Sequence, residues 1–207
     1  MTMKGKRKTM FPGTVRNKKG VALIEFCFIL PILIIMILFV IDAGRLIQAR
    51  LIITNVAREG GNLASRGLKT GSDLIALLQS SATPLDLKKS GMICVSRIEA
   101  GQTQEDPDPS ISEDPGQLCV GDLTGISSGI RTGADNLGLT KALYDHLVFN
   151  EDNQAPDIYH GVTIVETFYK YRPITPLPKF ITNIFLTHGD GTIVGSRAVY
   201  CTTQTEL

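Results

Sequence analysis

Apolar residues dominate one long stretch of this chain, residues 20–41, GVALIEFCFILPILIIMILFVI, where only Glu25 and Pro31 interrupt the 21 positions after the glycine. At about 1.5 Å per residue, a helix of that length crosses roughly 30 Å of hydrocarbon. No proline follows Pro31 until Pro84. Beyond residue 41, Ala49, Ile53, Val56, Ala57, Gly60 and Ala64 recur at helical spacing, while Gln48, Asn55, Arg58 and Asn62 fall largely on other faces. The pattern predicts a helix that continues out of the span over 42–66 and ends where Gly60, Gly61, Gly67 and Gly71 crowd together. A stripe of small residues permits close contact, expected with the chain's own domain and with a partner subunit as the alternative.

Further on the periods shorten. Ser72 and Asp73 can cap a helix through Leu74, Ile75, Leu77 and Leu78 that stops before Pro84. Residues 92–98 alternate as a strand, and 140–149 form a short helix with Leu143, Leu147 and Val148 on one side. Residues 162–171 carry the strongest strand signal, rich in β-branched and aromatic side chains, and Pro173, Pro176 and Pro178 stop it. Phe180, Ile181, Ile184 and Phe185 make one or two apolar helical turns, and Asp190-Gly191 turns the chain into a last strand over 192–202. The expected fold class is α+β: a long transmembrane and amphipathic helix, then a small antiparallel or mixed sheet packed with short helices.

Charge gives the span a direction. The 207 residues carry a net charge of +1, but residues 1–20 hold seven basic residues and no acid, leaving 14 basic residues against 20 acids beyond them. Flanking Lys and Arg stay cytoplasmic, and only Arg45, Arg50 and Arg58 follow the span closely. The expected organisation is a cytoplasmic leader 1–20, a span 21–41, an exoplasmic helical continuation 42–70, and an exoplasmic domain 71–207 with an acidic loop at 99–118. A basic tail joined directly to a hydrophobic span reads as a topology signal, with no nucleic acid as partner. A conventional signal peptide fits poorly. The apolar run exceeds the usual length, and no small-x-small cleavage site follows.

Glu25 is the residue that a plain anchor does not explain, since a carboxylate inside a membrane helix costs about 2.5–3.5 kcal/mol. Gly20 stands where the basic leader meets the apolar run, Glu25 is the fifth residue after it, and Phe26 follows. This resembles the prepilin-type signal of type IV pilins and pseudopilins. The resemblance implies cleavage between Gly20 and Val21, and a new amine on Val21 that the Glu25 carboxylate can pair with across neighbouring subunits. With Pro31, DAGR at 42–45 and AREGG at 57–61, residues 18–66 resemble the TadE/TadF-like family, pseudopilins of the tight-adherence (Flp, type IVc) pilus. VETFYKYRP at 165–173 is similar to a late strand of the same family's exoplasmic domains. Gly61 and Asn62 stand where a second arginine is expected shortly after the AREG pattern, so TadE is not separated from TadF. The resemblance implies a pilin-like body and, as partners, a prepilin peptidase, the major Flp-type pilin, a companion pseudopilin and an inner-membrane platform, besides membrane lipid.

Cys27 sits in the span, away from Cys94, Cys119 and Cys201 on the exoplasmic side, where disulfides persist. Closure of the acidic loop by Cys94 and Cys119 is the favoured bridge, and one from Cys201 to either is the alternative. Candidate chemistry is otherwise thin. The string Gly125-Ile-Ser127-Ser-Gly129 matches a nucleophile elbow, but a glycine-rich loop surrounds it. His146, His160 and His188 lack metal-ligand spacing, and Asp106 and Asp108 sit among prolines in a poor calcium loop. No catalytic, metal or cofactor site is expected. Two functions stand against each other: a minor pseudopilin in pilus assembly, and a membrane-tethered periplasmic enzyme or binding module with an uncleaved signal anchor.

Overall fold

The computed structural model describes residues 18–67, 71–113, 116–121, 123–149, 161–175 and 191–202. Helix α1, Lys18–Ser65, is continuous over 48 residues and passes through Pro31. There the ring removes one backbone donor and crowds the carbonyl of Cys27, four residues earlier. The helix has two unlike halves. From residue 22 to 34 every residue is exposed, including Leu23, Phe26, Phe28 and Ile32. From Asp42 onward one face is covered, and Ala49, Ile53, Val56, Ala57 and Gly60 are buried against the rest of the chain.

What covers that face is an antiparallel sheet and a second helix. After α2 (Gly71–Ser81) and the single turn α3 (Leu87–Ser90), strand β1 (Gly91–Glu99) pairs along its length with β4 (Gly161–Tyr171), and β4 with β5 (Thr192–Cys201). Two short strands, β2 (Ser110–Ile111) and β3 (Leu118–Gly121), share the other edge of β1. All these pairings are antiparallel, which settles the expectation of an antiparallel or mixed sheet. A 3-10 turn at Asp135–Gly138 leads into α4, Lys141–Leu147.

Alternation in the central strand sorts the two cores. Val165, Tyr169 and Tyr171 face α1 and α2 with Ile93 and Val194, meeting Ile53, Val56, Leu74, Ile75 and Leu78. Val162 and Ile164 face the opposite way with Ile98, under Ile130, Leu139 and Leu147. Close approach on the first face depends on glycine. A Cβ at Gly60 would lie 2.6 Å from Leu78 Cδ1 and 3.2 Å from Val165 Cγ1. The small-residue stripe is therefore spent on the chain's own domain.

Strand β4 runs back along α1. Val165 meets Gly60, and Tyr171 meets Asp42. Those pairs lie about 27 Å apart along the helix and about 20 Å apart along the strand, so the two elements are nearly lengthwise. The end of β4 thus points to the apolar half of α1, and the acid-rich segment after Glu99 lies at the far end, because Glu99 pairs with Gly161.

Some elements differ from the sequence pattern. α2 begins at Gly71, so Ser72 and Asp73 lie inside its first turn instead of before it. The segment 99–118 is not wholly loop, since β2 lies within it. The apolar turns expected around Phe180–Phe185 lie outside the described residues.

Ile53 is fully buried where α1, α2 and the sheet converge. Ile53→Ala is expected to cost about 2–5 kcal/mol of stability in urea titration of the full chain in detergent, and an unchanged midpoint would refute this packing.

Candidate functional site

The first turns of α1 hold the residues singled out for processing and assembly. Gly20 is exposed, and a Cβ there would meet nothing within 4 Å, so nothing in the described fold demands a glycine. Val21 follows on the same helix. Glu25 is exposed and makes no ion pair with another described residue, and Phe26 is exposed beside it. The run that follows is apolar on every face and mostly exposed, with Phe28 at 74% exposure and Ile35, Leu38 and Phe39 half-buried. In water that surface is strongly unfavourable, whereas in hydrocarbon it is the expected solvent-facing surface of a spanning helix.

Asp42, the first residue past this run, is buried to 7% exposure. Its backbone carbonyl accepts a 3.0 Å hydrogen bond from the Tyr171 hydroxyl, and its carboxylate accepts from the Ile174 N–H at 3.3 Å. Thr175 Oγ1 also donates to the carboxylate. One acid thus ties the turn after β4 to the helix where the apolar half ends. Burial first, and then the negative charge of Asp42, push the Tyr171 phenol above its usual value of 10.0, while Arg45 opposes the shift. The DAGR string was legible as a motif, but its aspartate's partners lie some 130 residues away and carry no local signal.

On the other face of the sheet a second polar cluster is buried. Glu166, 2% exposed, accepts from Arg197 Nε at 2.9 Å and Nη2 at 2.6 Å, from the Ser128 hydroxyl, and from the Gly129 N–H at 3.1 Å. Arg197 also donates to the Gly138 carbonyl at 2.9 Å, and Gln117 Nε2 reaches Ser128 Oγ at 2.9 Å and Ile130 O at 2.6 Å. The cluster clasps the glycine-rich segment onto β4 and β5. Ser127, the nucleophile position of the elbow string, is exposed, and it is Ser128 that bonds Glu166. Neither serine has a described histidine as a hydrogen-bond partner. Sequence reading missed Glu166, Arg197 and Gln117; a lone glutamate inside the strongest strand was the available signal.

Cys94 and Cys119, opposite one another on β1 and β3, are joined in a disulfide. Cys201 is free and exposed near the end of β5, and Cys27 is free and exposed in the apolar run. Burial and then the charge of Asp108 push the Tyr144 phenol upward, and among the described residues no group of three or more His, Cys, Asp or Glu side chains, Asp106 and Asp108 included, is arranged to hold a metal. His146 is exposed on α4, whereas His160 and His188 lie outside the described residues.

A long helix whose first half is apolar apart from Glu25 and mostly exposed, leading into a small antiparallel sheet, is consistent with a single-pass membrane anchor on an α+β domain. The anchor has a family likeness: the model of the family described as TadE-like protein matches residues 20–62, in agreement with the resemblance read from the motifs there. The match begins at Gly20, takes in Glu25 and the Asp42 latch, and ends on the face packed against the sheet. No curated protein and no solved structure matches the chain.

Two outcomes are expected. Because the Tyr171 phenol is held protonated by the fold, its stabilising effect is whole below the unfolded value and is lost as pH rises through the raised folded value. Ultraviolet titration of the full chain should therefore show late-ionising tyrosines, of which Tyr171→Phe removes one and leaves Tyr144, at a cost of about 0.5–1.5 kcal/mol near neutral pH. Glu166→Ala leaves Ser128, Gly129 and a partly exposed Arg197 without their acceptor, and denaturant titration should show a loss of about 1–3 kcal/mol.

Proposed function

We propose that the chain is a minor pseudopilin of a tight-adherence (Flp, type IVc) pilus, processed between Gly20 and Val21 and anchored in the inner membrane. Its N-terminus is cytoplasmic and its sheet domain periplasmic. The observation that carries this reading is the TadE-like match over residues 20–62, which starts on the glycine of the processing signal. Two further features support it. Gly20 is exposed in a helix where a glycine costs about 1 kcal/mol relative to alanine, so its selection points to something outside the fold. Glu25 is exposed on a face with no described counter-charge, as suits a group whose partner is an amine created by cleavage and presented by a neighbouring subunit.

In this reading the protein engages a prepilin peptidase first, then the inner-membrane platform, the major pilin and a companion pseudopilin. The body positions the helix and contributes no reaction. The rival, a membrane-tethered periplasmic enzyme or binding module with an intact anchor, finds its nearest support in the Ser128–Glu166 cluster. That cluster is better explained as a clasp, because each of its polar groups is occupied in holding the loop to the sheet.

Co-expression with the cognate prepilin peptidase is expected to yield a mature species lacking the 20 residues up to Gly20, with Val21 as its first residue by intact-mass analysis. Gly20→Leu should abolish the shift. Glu25→Ala should leave cleavage intact but reduce piliation. No mass shift, together with normal piliation in Glu25→Ala, would refute the assignment.

A further inference from the structure

The Asp42 latch fixes more than the joint between helix and sheet. It holds the turn Arg172–Thr175 level with the first residue beyond the apolar run, and in that turn Ile174 is 65% exposed. Arg172 is exposed beside it. Arg45 is exposed one helical turn past Asp42, about 4.5 Å further along the axis, and lies near enough to act on the Tyr171 phenol. Lys88 and Lys89, exposed on α3, stand at the same end of the sheet, since β1 starts at Gly91 opposite Tyr169.

The described charges are thus unevenly placed along the strands. Arg45, Arg172, Lys88 and Lys89 lie at the end next to the apolar run, where Asp86 pairs with Lys89, and Arg97 lies towards the other end. Glu99, Glu105, Asp106, Asp108 and Glu113 follow from the opposite end, where β1 finishes against Gly161. One large apolar side chain left in the open, with Arg172 two residues before it and Arg45 one turn past the Asp42 that holds it, has the composition of a contact where hydrocarbon gives way to phosphate. Arginine suits phosphate because its planar fork binds two oxygens at once. The acids at the far end are where an anionic surface repels them least.

We propose that this end of the domain docks on the outer surface of the membrane that α1 spans, with Ile174 dipping below the headgroups and Arg45 and Arg172 on lipid phosphates. The contact would hold the domain at a set angle and height over the bilayer. It rests on the reading of residues 20–41 as a span, and it shares an unbroken boundary with that span through Asp42.

The test uses the full chain carrying Cys27→Ser and Cys201→Ser, with one thiol introduced for an environment-sensitive fluorophore by Ile174→Cys, Leu33→Cys or Thr103→Cys. Each is reconstituted in vesicles of phosphatidylethanolamine and phosphatidylglycerol doped with nitroxide lipids of shallow or deep label position. Expected are quenching at 33 by the deep nitroxide, quenching with a blue shift at 174 by the shallow one, and neither at 103. Quenching at 33 with position 174 behaving like 103 would overturn the docking and leave the anchor standing. No quenching at 33 would overturn both. Arg45→Gln with Arg172→Gln, or replacement of phosphatidylglycerol by phosphatidylcholine, should diminish the signal at 174 while leaving that at 33 unchanged. An undiminished signal would refute the role given to the two arginines.

Discussion

One helix has two unlike halves, the first suited to hydrocarbon and the second to a protein core, and the rest of the structure follows from where it changes over. Residues 22–34 of α1 are all exposed and, Glu25 apart, apolar. From Asp42 the same rod carries a buried stripe on which α2 and the sheet are assembled. A helix can serve both roles because its backbone hydrogen bonds are internal in either medium. The side chains alone mark the border. Asp42 is the natural place for it: a carboxylate is costly in hydrocarbon, and here it is occupied by donors from the turn after β4. The sheet is consequently joined to the rod at the border as well as along the stripe.

The two faces of the sheet are held by different physics. Against α1 and α2 the contact is almost entirely apolar and depends on close approach at Gly60 and Gly61, where a Cβ would run into Leu78 and the Tyr200 ring. On the opposite face the cover is irregular chain, which offers fewer apolar side chains and many backbone polar groups that need partners. Glu166 and Arg197 meet that need, drawing in Ser128, Gly129 and the Gly138 carbonyl, and the disulfide from β1 to β3 fastens the start of the same cover. Apolar burial serves both faces, and on the second a charged, satisfied network is added to the smaller core around Ile98, Ile130 and Ile164.

How much of this was legible varies with how local the cause was. The span, the buried stripe of α1 and the strands β1, β4 and β5 are written in periodicity, and they stand within a residue or two of where that periodicity puts them. β2 and β3 are two and four residues long and owe their existence to the free edge of β1, so no pattern of their own announced them. The start of α2 at Gly71 went unread because Ser72 and Asp73 look like caps, and only the fold shows them inside the helix. At the candidate site, Gly20, Glu25 and Phe26 were singled out by their resemblance to a prepilin-type signal, and Cys94 with Cys119 was the favoured pair, which the structure joins. The partners of Asp42 and Glu166 were hidden, because each hydrogen bond joins segments far apart in sequence.

Glycines in α1 separate constraints of the fold from constraints imposed on it. Gly60 and Gly61 are required by contacts within the chain. Gly20 and Gly44 are not: a side chain at either would point into open space, and each lowers helix stability by about 1 kcal/mol relative to alanine. A residue that the fold neither needs nor gains from is best explained by what meets the helix from outside. At Gly20 that agent is, in the proposed reading, a peptidase that must bring its own groups close to the backbone. At Gly44, two residues past Asp42 and on a face that also exposes Ile47 and Leu51, the same logic applies to whatever lies against the helix just beyond the membrane border.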